Sequence, residues 1–227
     1  MYSIDKESGV LEFFCGEKIF NPVTSKSKQF YHFLVSEKAK PSRGFKKLKE
    51  DFDLDDSSVA NAFLNIKSLS SETFIRSFQF KILGDNTYTN YLLAKIGFVP
   101  NDLCTFCEAG SETVHHLFYE CSFSNLFWKH FENFWYTLSG QREDFTLKDV
   151  LVGRLDEECD LLNYLFILAK LHIWTCRKHS VTPNFRVFIG MVDVKYRTEI
   201  YIAAKDNRRG KFQAKWQLYI SARELVG

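Results

Sequence analysis

Beyond residue 57 the chain places apolar side chains every three or four positions, the spacing of helices that bury one face. Behind Ser57, a residue suited to a helix cap, Val59, Ala60, Phe63, Leu64 and Ile66 begin the pattern, and Phe74, Phe78 and Ile82 carry it through Thr73 to Leu83. A further short helix is expected over Tyr88 to Ile96, with Gly97 placed for a left-handed C-cap and Pro100 blocking continuation. Phe123, Leu126, Phe127, Phe131, Phe134, Trp135 and Leu138 then define a helix with an almost wholly aromatic face. That stripe reads as core, because a continuous aromatic face is costly to leave in water. A base-stacking platform is the rival use, and it needs exposed rings beside cations. Leu162, Leu165, Phe166, Ala169 and Ile173 mark another helix, ended near Pro183. Asn184 can cap the next, whose buried face would hold Phe185, Phe188, Ile189, Val192, Tyr196 and Ile200. Arg208-Arg209-Gly210 turns into a last basic and aromatic segment with Phe212, Trp216 and Tyr219.

The first part of the chain is less regular. Val10 to Phe14 and Lys18 to Phe20 are short apolar runs around Cys15-Gly16, the pattern of a small β-hairpin. Residues 27 to 38 read as a short helix, Pro41 to Lys49 as a linker or solvated helix end, and Asp51 to Asp56 as an acidic loop. The expected fold is mainly α: a small irregular helical assembly with a short N-terminal β-hairpin.

Composition narrows the class. The 227 residues, 45% of them hydrophobic, can bury a real core. No apolar run is long enough to span a bilayer, and the first residues lack the features of a signal peptide. An intracellular protein, nuclear or cytoplasmic, is expected, with no membrane partner. Net charge is only +2, but it is unevenly spread. Basic residues crowd the interval from Lys18 to Lys49 and the chain beyond Arg177, whereas Lys95 to Lys129 encloses no lysine or arginine and holds Asp102, Glu108, Glu112 and Glu120. Each basic run is either a solvated face or a phosphate-binding surface.

The six cysteines are too unevenly placed for a disulfide framework. Cys15, Cys159 and Cys176 are scattered and read as packing residues. Cys104, Cys107 and Cys121 cluster, and with a histidine they surround one metal ion. Zinc takes four soft or borderline ligands in a tetrahedron, and two cysteines separated by two residues can both face it from a tight turn. The second half can use His116 with Cys121, or His115 with Cys121. Ser111 can cap a short helix carrying the histidines. Five residues along an α-helix turn the direction by about 140°, so Cys121 must lie just past its end. A redox Cys-x2-Cys would leave the histidines and Cys121 unexplained. Four protein ligands close the shell, so the zinc is expected to be structural and not catalytic.

Phe78 to Leu83, Thr89-Asn90-Tyr91-Leu92, Lys95-Ile96-Gly97, Leu103 to Cys107, Glu112 to Phe118 and Phe127-Trp128 together resemble the reverse-transcriptase zinc-binding domain. That domain lies near the C-terminus of the polymerase polyprotein of LINE-type, non-LTR retrotransposons. The resemblance places the ligands on Cys104, Cys107, His116 and Cys121, with His115 as the alternative. It implies three parts: a connector-like basic segment over 1–70, the zinc-binding domain over 71–138 and a basic helical tail over 139–227. It also implies RNA or DNA as partners, together with the polymerase portion of the element, and no small-molecule substrate.

The departures matter equally. No aromatic-x-Asp-Asp turn between strands supplies a polymerase centre, and Phe52-Asp53-Leu54-Asp55-Asp56 sits in a polar stretch. Pro183-Asn184 lacks the aspartate of the nuclease found in some relatives. The chain looks like a detached C-terminal fragment without catalytic function. The expected function is a non-catalytic, zinc-stabilised nucleic-acid-binding module that assists template RNA or target DNA engagement. The alternative is a structural or protein-interaction fragment in which zinc only holds the fold. Because thiolates and acids make the zinc loop negative, the candidate phosphate contacts are Lys46, Lys47 and Lys49 and, near the other end, Arg208, Arg209 and Lys211.

Overall fold

The computed structural model describes residues 2–4, 11–15, 18–20, 28, 31, 41–154 and 160–224. The chain divides at Ser42 and Arg43 into two units. In the first, β1 (Tyr2–Ile4), β2 (Leu11–Cys15) and β3 (Lys18–Phe20) form an antiparallel sheet in chain order. The β2–β3 pairing is the hairpin expected from the sequence, with Cys15 opposite Lys18 and Phe13 opposite Phe20. Of the short helix expected over 27–38, only positions 28 and 31 are among the described residues, and both are helical.

The second unit is helical. The basic stretch expected to be a linker or solvated end is instead α1 (Arg43–Phe52), a full helix that buries Gly44 and Leu48. Gly44 explains how it docks. A Cβ there would stand 2.4 Å from the Cα of Gly84, so two glycine backbones touch where α1 meets the end of α3 (Thr73–Leu83). The acidic loop is also shorter than expected: Asp51 and Phe52 finish α1, and Asp56 opens α2 (Asp56–Leu69). Asp55, not Ser57, caps α2, its carboxylate accepting the Ser58 N–H at 2.7 Å. Val59, Ala62, Ile66 and Leu69 face inward from α2, whereas Ala60 and Leu64 of the expected pattern are exposed. On α3 the limits are those expected, with Phe78 and Ile82 buried and Phe74 exposed.

After α4 (Asn90–Lys95) the chain turns at Gly97, whose φ of 75° is the left-handed value foreseen there. One π-helical turn (His116–Glu120) leads into α5 (Ser122–Ser139), the aromatic helix. Phe127, Phe131 and Trp135 are buried as core, joined by Trp128, while Phe123 and Leu126 at the start of the stripe remain exposed. Next comes the short helix α6 (Leu147–Val152), opened by a Thr146–Asp149 capping box, and then the central helix α7 (Asp160–Lys178). Every residue from Leu161 to Ile173 is buried, so α7 is enclosed on all sides. Rings from α5, α7 and α8 (Phe185–Lys205) interlock: Phe131 stacks on Phe166 with centroids 5.4 Å apart, and Phe127 meets Phe188 edge-on at 5.4 Å. Asn184 caps α8 as expected, accepting the Val187 N–H at 3.2 Å. Phe188 and Val192 are buried on that helix, but Ile200 is exposed. The last segment is α9 (Arg209–Glu224), which buries Phe212, Trp216 and Tyr219 around Tyr196 of α8. No helix among the described residues is long and apolar enough to cross a membrane.

Candidate metal centre

Backbone geometry builds the first half of the centre. The Cys104 N–H donates to the Gly110 carbonyl at 2.8 Å, and the Cys104 carbonyl accepts from Glu108 at 2.9 Å, folding residues 104–110 into a tight loop. Glu108 takes a left-handed φ of 53° to close it. Within the loop the Phe106 N–H points at Cys104 Sγ, 3.4 Å away, a contact that favours the thiolate.

The second half comes from the π-helical turn. Ser111 does not cap it, because its hydroxyl donates to Asp102 at 2.6 Å; Thr113 Oγ1 instead accepts the His116 N–H at 3.0 Å. An α-helical path would swing Cys121 well away from His116. Here the Cys121 N–H bonds to the His116 carbonyl at 2.8 Å, five residues back, so the widened turn brings Cys121 nearly above His116. Gly110 leaves room for the ring: a Cβ there would be 3.3 Å from His116 Cε1.

These elements bring Cys104, Cys107, His116 and Cys121 together, with one ligand atom from each within 4.8 Å of all the others. Cys104 Sγ and Cys121 Sγ are 3.8 Å apart, and Cys107 Sγ lies 3.3 Å from His116 Nε2. A tetrahedron with zinc–sulfur bonds of about 2.3 Å has sulfur–sulfur edges of about 3.8 Å, so the donors fit zinc. Cys104 and Cys121 are buried, and Cys107 and His116 are partly open. As bare thiols the two buried cysteines are hydrogen-bonded to each other, Cys104 donating to Cys121. The hydrogen bond between them, with burial, pushes Cys104 far up, and the same bond lowers Cys121. The alternative ligand, His115, is engaged elsewhere: its Nε2 pairs with Asp51 at 3.1 Å and its ring lies against Phe52.

A buried polar hub supports the loop from behind. Glu112 is 0% exposed. One carboxylate oxygen accepts from the Asn90 N–H at 2.9 Å and from Arg177 Nε at 2.9 Å; the other accepts the Thr105 N–H at 2.8 Å. Asn90 in turn accepts from Arg177 at 2.7 Å and donates to the Leu103 carbonyl at 2.7 Å. The start of α4, the cysteine loop and the end of α7 are thereby joined. The acidic character assigned to the loop is reduced at one position, where Glu112 is matched by Arg177; Asp102 accepts from the neutral Ser111 hydroxyl, and Glu108 and Glu120 are exposed. Tyr119 uses its hydroxyl on the Phe145 carbonyl at 2.6 Å, which ties it to the core side. Nothing in sequence spacing points from Glu112 to Arg177; Asn90 and Glu112 at least lie in the motifs that carry the family resemblance.

Residues 65–128 match the family described as zinc-binding in reverse transcriptase. That segment is similar to the zinc-binding domain of reverse transcriptases. It contains all four clustered ligands and runs from α2 into α5. No curated protein matches the chain.

The two groups of candidate phosphate contacts are placed differently. Lys47 pairs with Asp85 at 2.8 Å and Lys49 pairs with Asp56, while Lys46 is exposed. Arg208, Arg209 and Lys211 are all exposed around the start of α9, and no acidic partner faces them among the described residues. Of the scattered cysteines, Cys176 is buried against His172 Nε2 at 3.6 Å, where burial raises the thiol and lowers the imidazole, leaving both neutral. Cys15 lies on β2, and Cys159 falls outside the described residues.

Proposed function

We propose that this chain is a non-catalytic, zinc-stabilised nucleic-acid-binding module of a LINE-type retrotransposon reverse transcriptase, helping it to engage template RNA or target DNA. The observation that carries the reading is the exposed group Arg208, Arg209 and Lys211, without acidic partners among the described residues, at the start of a helix anchored by Phe212 and Trp216. Free cations on a rigid surface release counterions from a phosphate backbone at little ordering cost. Four protein donors on the metal favour a structural clasp over metal-assisted chemistry.

A second reading rests on the apolar side chains exposed near the clasp: Tyr88, Ile96, Phe98 and Leu103 would suit a protein partner such as the polymerase portion of the same element. Fluorescence anisotropy with labelled RNA and DNA separates the two. Reversing Arg208, Arg209 and Lys211 to glutamate should weaken binding at least about tenfold at low salt and lower the salt slope by about 0.7 per cation for single strands. Wild-type protein that binds no nucleic acid at moderate salt would favour the protein-interaction reading.

A further inference from the structure

A second feature with anion-binding chemistry lies under α1. A cavity of about 140 Å³ is lined by Arg43, Lys47, Asp85, Thr87, Thr89 and Tyr91, among others. Water takes about 30 Å³ of liquid volume, so this space is larger than one solvent site. Arg43 and Lys47 share the single carboxylate of Asp85, at 2.9 and 2.8 Å, which leaves one net positive charge among these three residues. Thr87 is only 6% exposed, and its Oγ1 is buried with no hydrogen-bond partner among the described residues. A buried hydroxyl without a partner is unfavourable unless something else fills the role. Thr89, 2% exposed, adds another hydroxyl to the lining.

We infer that this cavity binds a phosphate group, with Arg43 and Lys47 supplying charge and Thr87 Oγ1 donating to a phosphate oxygen. A tetrahedral oxyanion matches what the lining offers: a guanidinium fork, an ammonium and hydroxyl donors. Arg43 has a side chain 63% exposed, so it can turn from Asp85 to the ligand without disturbing the core. Tyr91 lines the same cavity and is 41% exposed, offering a ring on which a neighbouring base can stack. The favoured source of the phosphate is therefore the backbone of a single-stranded nucleic acid, a choice that rests on the function proposed above.

The test uses the full zinc-loaded chain with two probes, a short labelled single strand and inorganic phosphate, and two variants, Thr87→Val and Arg43→Gln. Thr87→Val removes only a hydroxyl that already lacks a partner, so zinc content and melting temperature should match or exceed wild type. It should lower oligonucleotide affinity about three- to tenfold with the salt slope unchanged. Arg43→Gln should reduce that slope by about 0.7. Inorganic phosphate should raise the melting temperature of wild type but not of Thr87→Val. Phosphate discrimination without any oligonucleotide binding by wild type would uphold the site as a free-anion site and sink the nucleic-acid reading. Equal oligonucleotide binding by wild type and both variants, with no phosphate effect on any of them, would overturn the site while leaving that reading intact.

Discussion

From Asn90 to Ser111 only Cys104 is buried, and Tyr91, Ile96, Phe98 and Leu103 are exposed, whereas along α7 every side chain from Leu161 to Ile173 is enclosed. The first stretch has almost no apolar burial to offset the entropy of ordering its loops. It is held instead by directed bonds: the metal donors, the Glu112 hub and the backbone turns of 104–110. Apolar burial and ring packing hold the second. A region ordered by a few directed bonds fails when one of them is removed; a region ordered by burial yields gradually. The two meet at the π-helical turn, where Leu117 and Phe118, both 0% exposed, sit between the ligands His116 and Cys121 and join the core.

Metal removal should expose the contrast most strongly. The expected stoichiometry is one zinc per chain, and apparent binding energies for such sites are on the order of 10 kcal/mol. On chelation, or in Cys107→Ser, amide exchange across residues 102–113 should approach that of an unprotected chain, while amides of α7 from Leu161 to Ile173 stay slow. Acidification should mimic chelation, since thiolates and neutral imidazole must gain protons to let the ion go. If α7 loses as much protection as the loop, the two regions are one cooperative unit and the contrast fails.

A smaller but sharper effect is expected from the hub that links the regions. Glu112→Gln keeps the shape but leaves Arg177, whose side chain is 13% exposed, without its carboxylate, and turns an amide group toward donors that expect an oxygen. Breaking a buried pair in this way costs about 3–5 kcal/mol. Denaturant melts should show the loss, and zinc affinity should fall with it, because Thr105 in the cysteine loop is bonded to the same carboxylate. Unchanged zinc affinity in a destabilised variant would mean that the hub serves α7 alone.

This contrast also explains what the sequence made legible. Helices held by burial announce themselves: the limits of Thr73–Leu83, the Asn184 cap and the aromatic core of α5 follow from apolar spacing and capping chemistry. So do the three cysteine ligands, because zinc demands particular residue types at short spacing, whereas spacing left His115 and His116 open until the fold set His115 against Asp51. What escaped depends on partners far apart in the chain. The docking of Arg43–Phe52 rests on its contact with Gly84, and Glu112 counted only as one of the zinc loop's acids until Arg177, 65 residues on, supplied its counterion. The two basic groups look equal in sequence as well; only the fold brings Asp85 and Asp56 to Lys47 and Lys49 while leaving Arg208, Arg209 and Lys211 free among the described residues.

The smallest expected effect tests how tightly the burial-held region excludes water. Lys170 on α7 is 1% exposed, and its ammonium donates to the Leu151 carbonyl at 3.1 Å, which also accepts from Gln79. Burial holds its ammonium well below the usual lysine range, so the native state binds it as a neutral amine more readily than the unfolded chain does. Because the unfolded state takes up the extra proton, the penalty is present at neutral pH and fades as pH rises toward the ordinary lysine value. Lys170→Met should therefore stabilise the protein at neutral pH by about 1–3 kcal/mol, the scale of a buried polar group short of partners. The gain should shrink steadily between neutral pH and about 10. Burial pushes the Tyr164 hydroxyl well above the usual tyrosine range, but that effect is common to both proteins, so the difference between wild type and variant isolates Lys170. A difference that stays constant with pH would mean that Lys170 is charged in the folded state and that the region around α7 admits water.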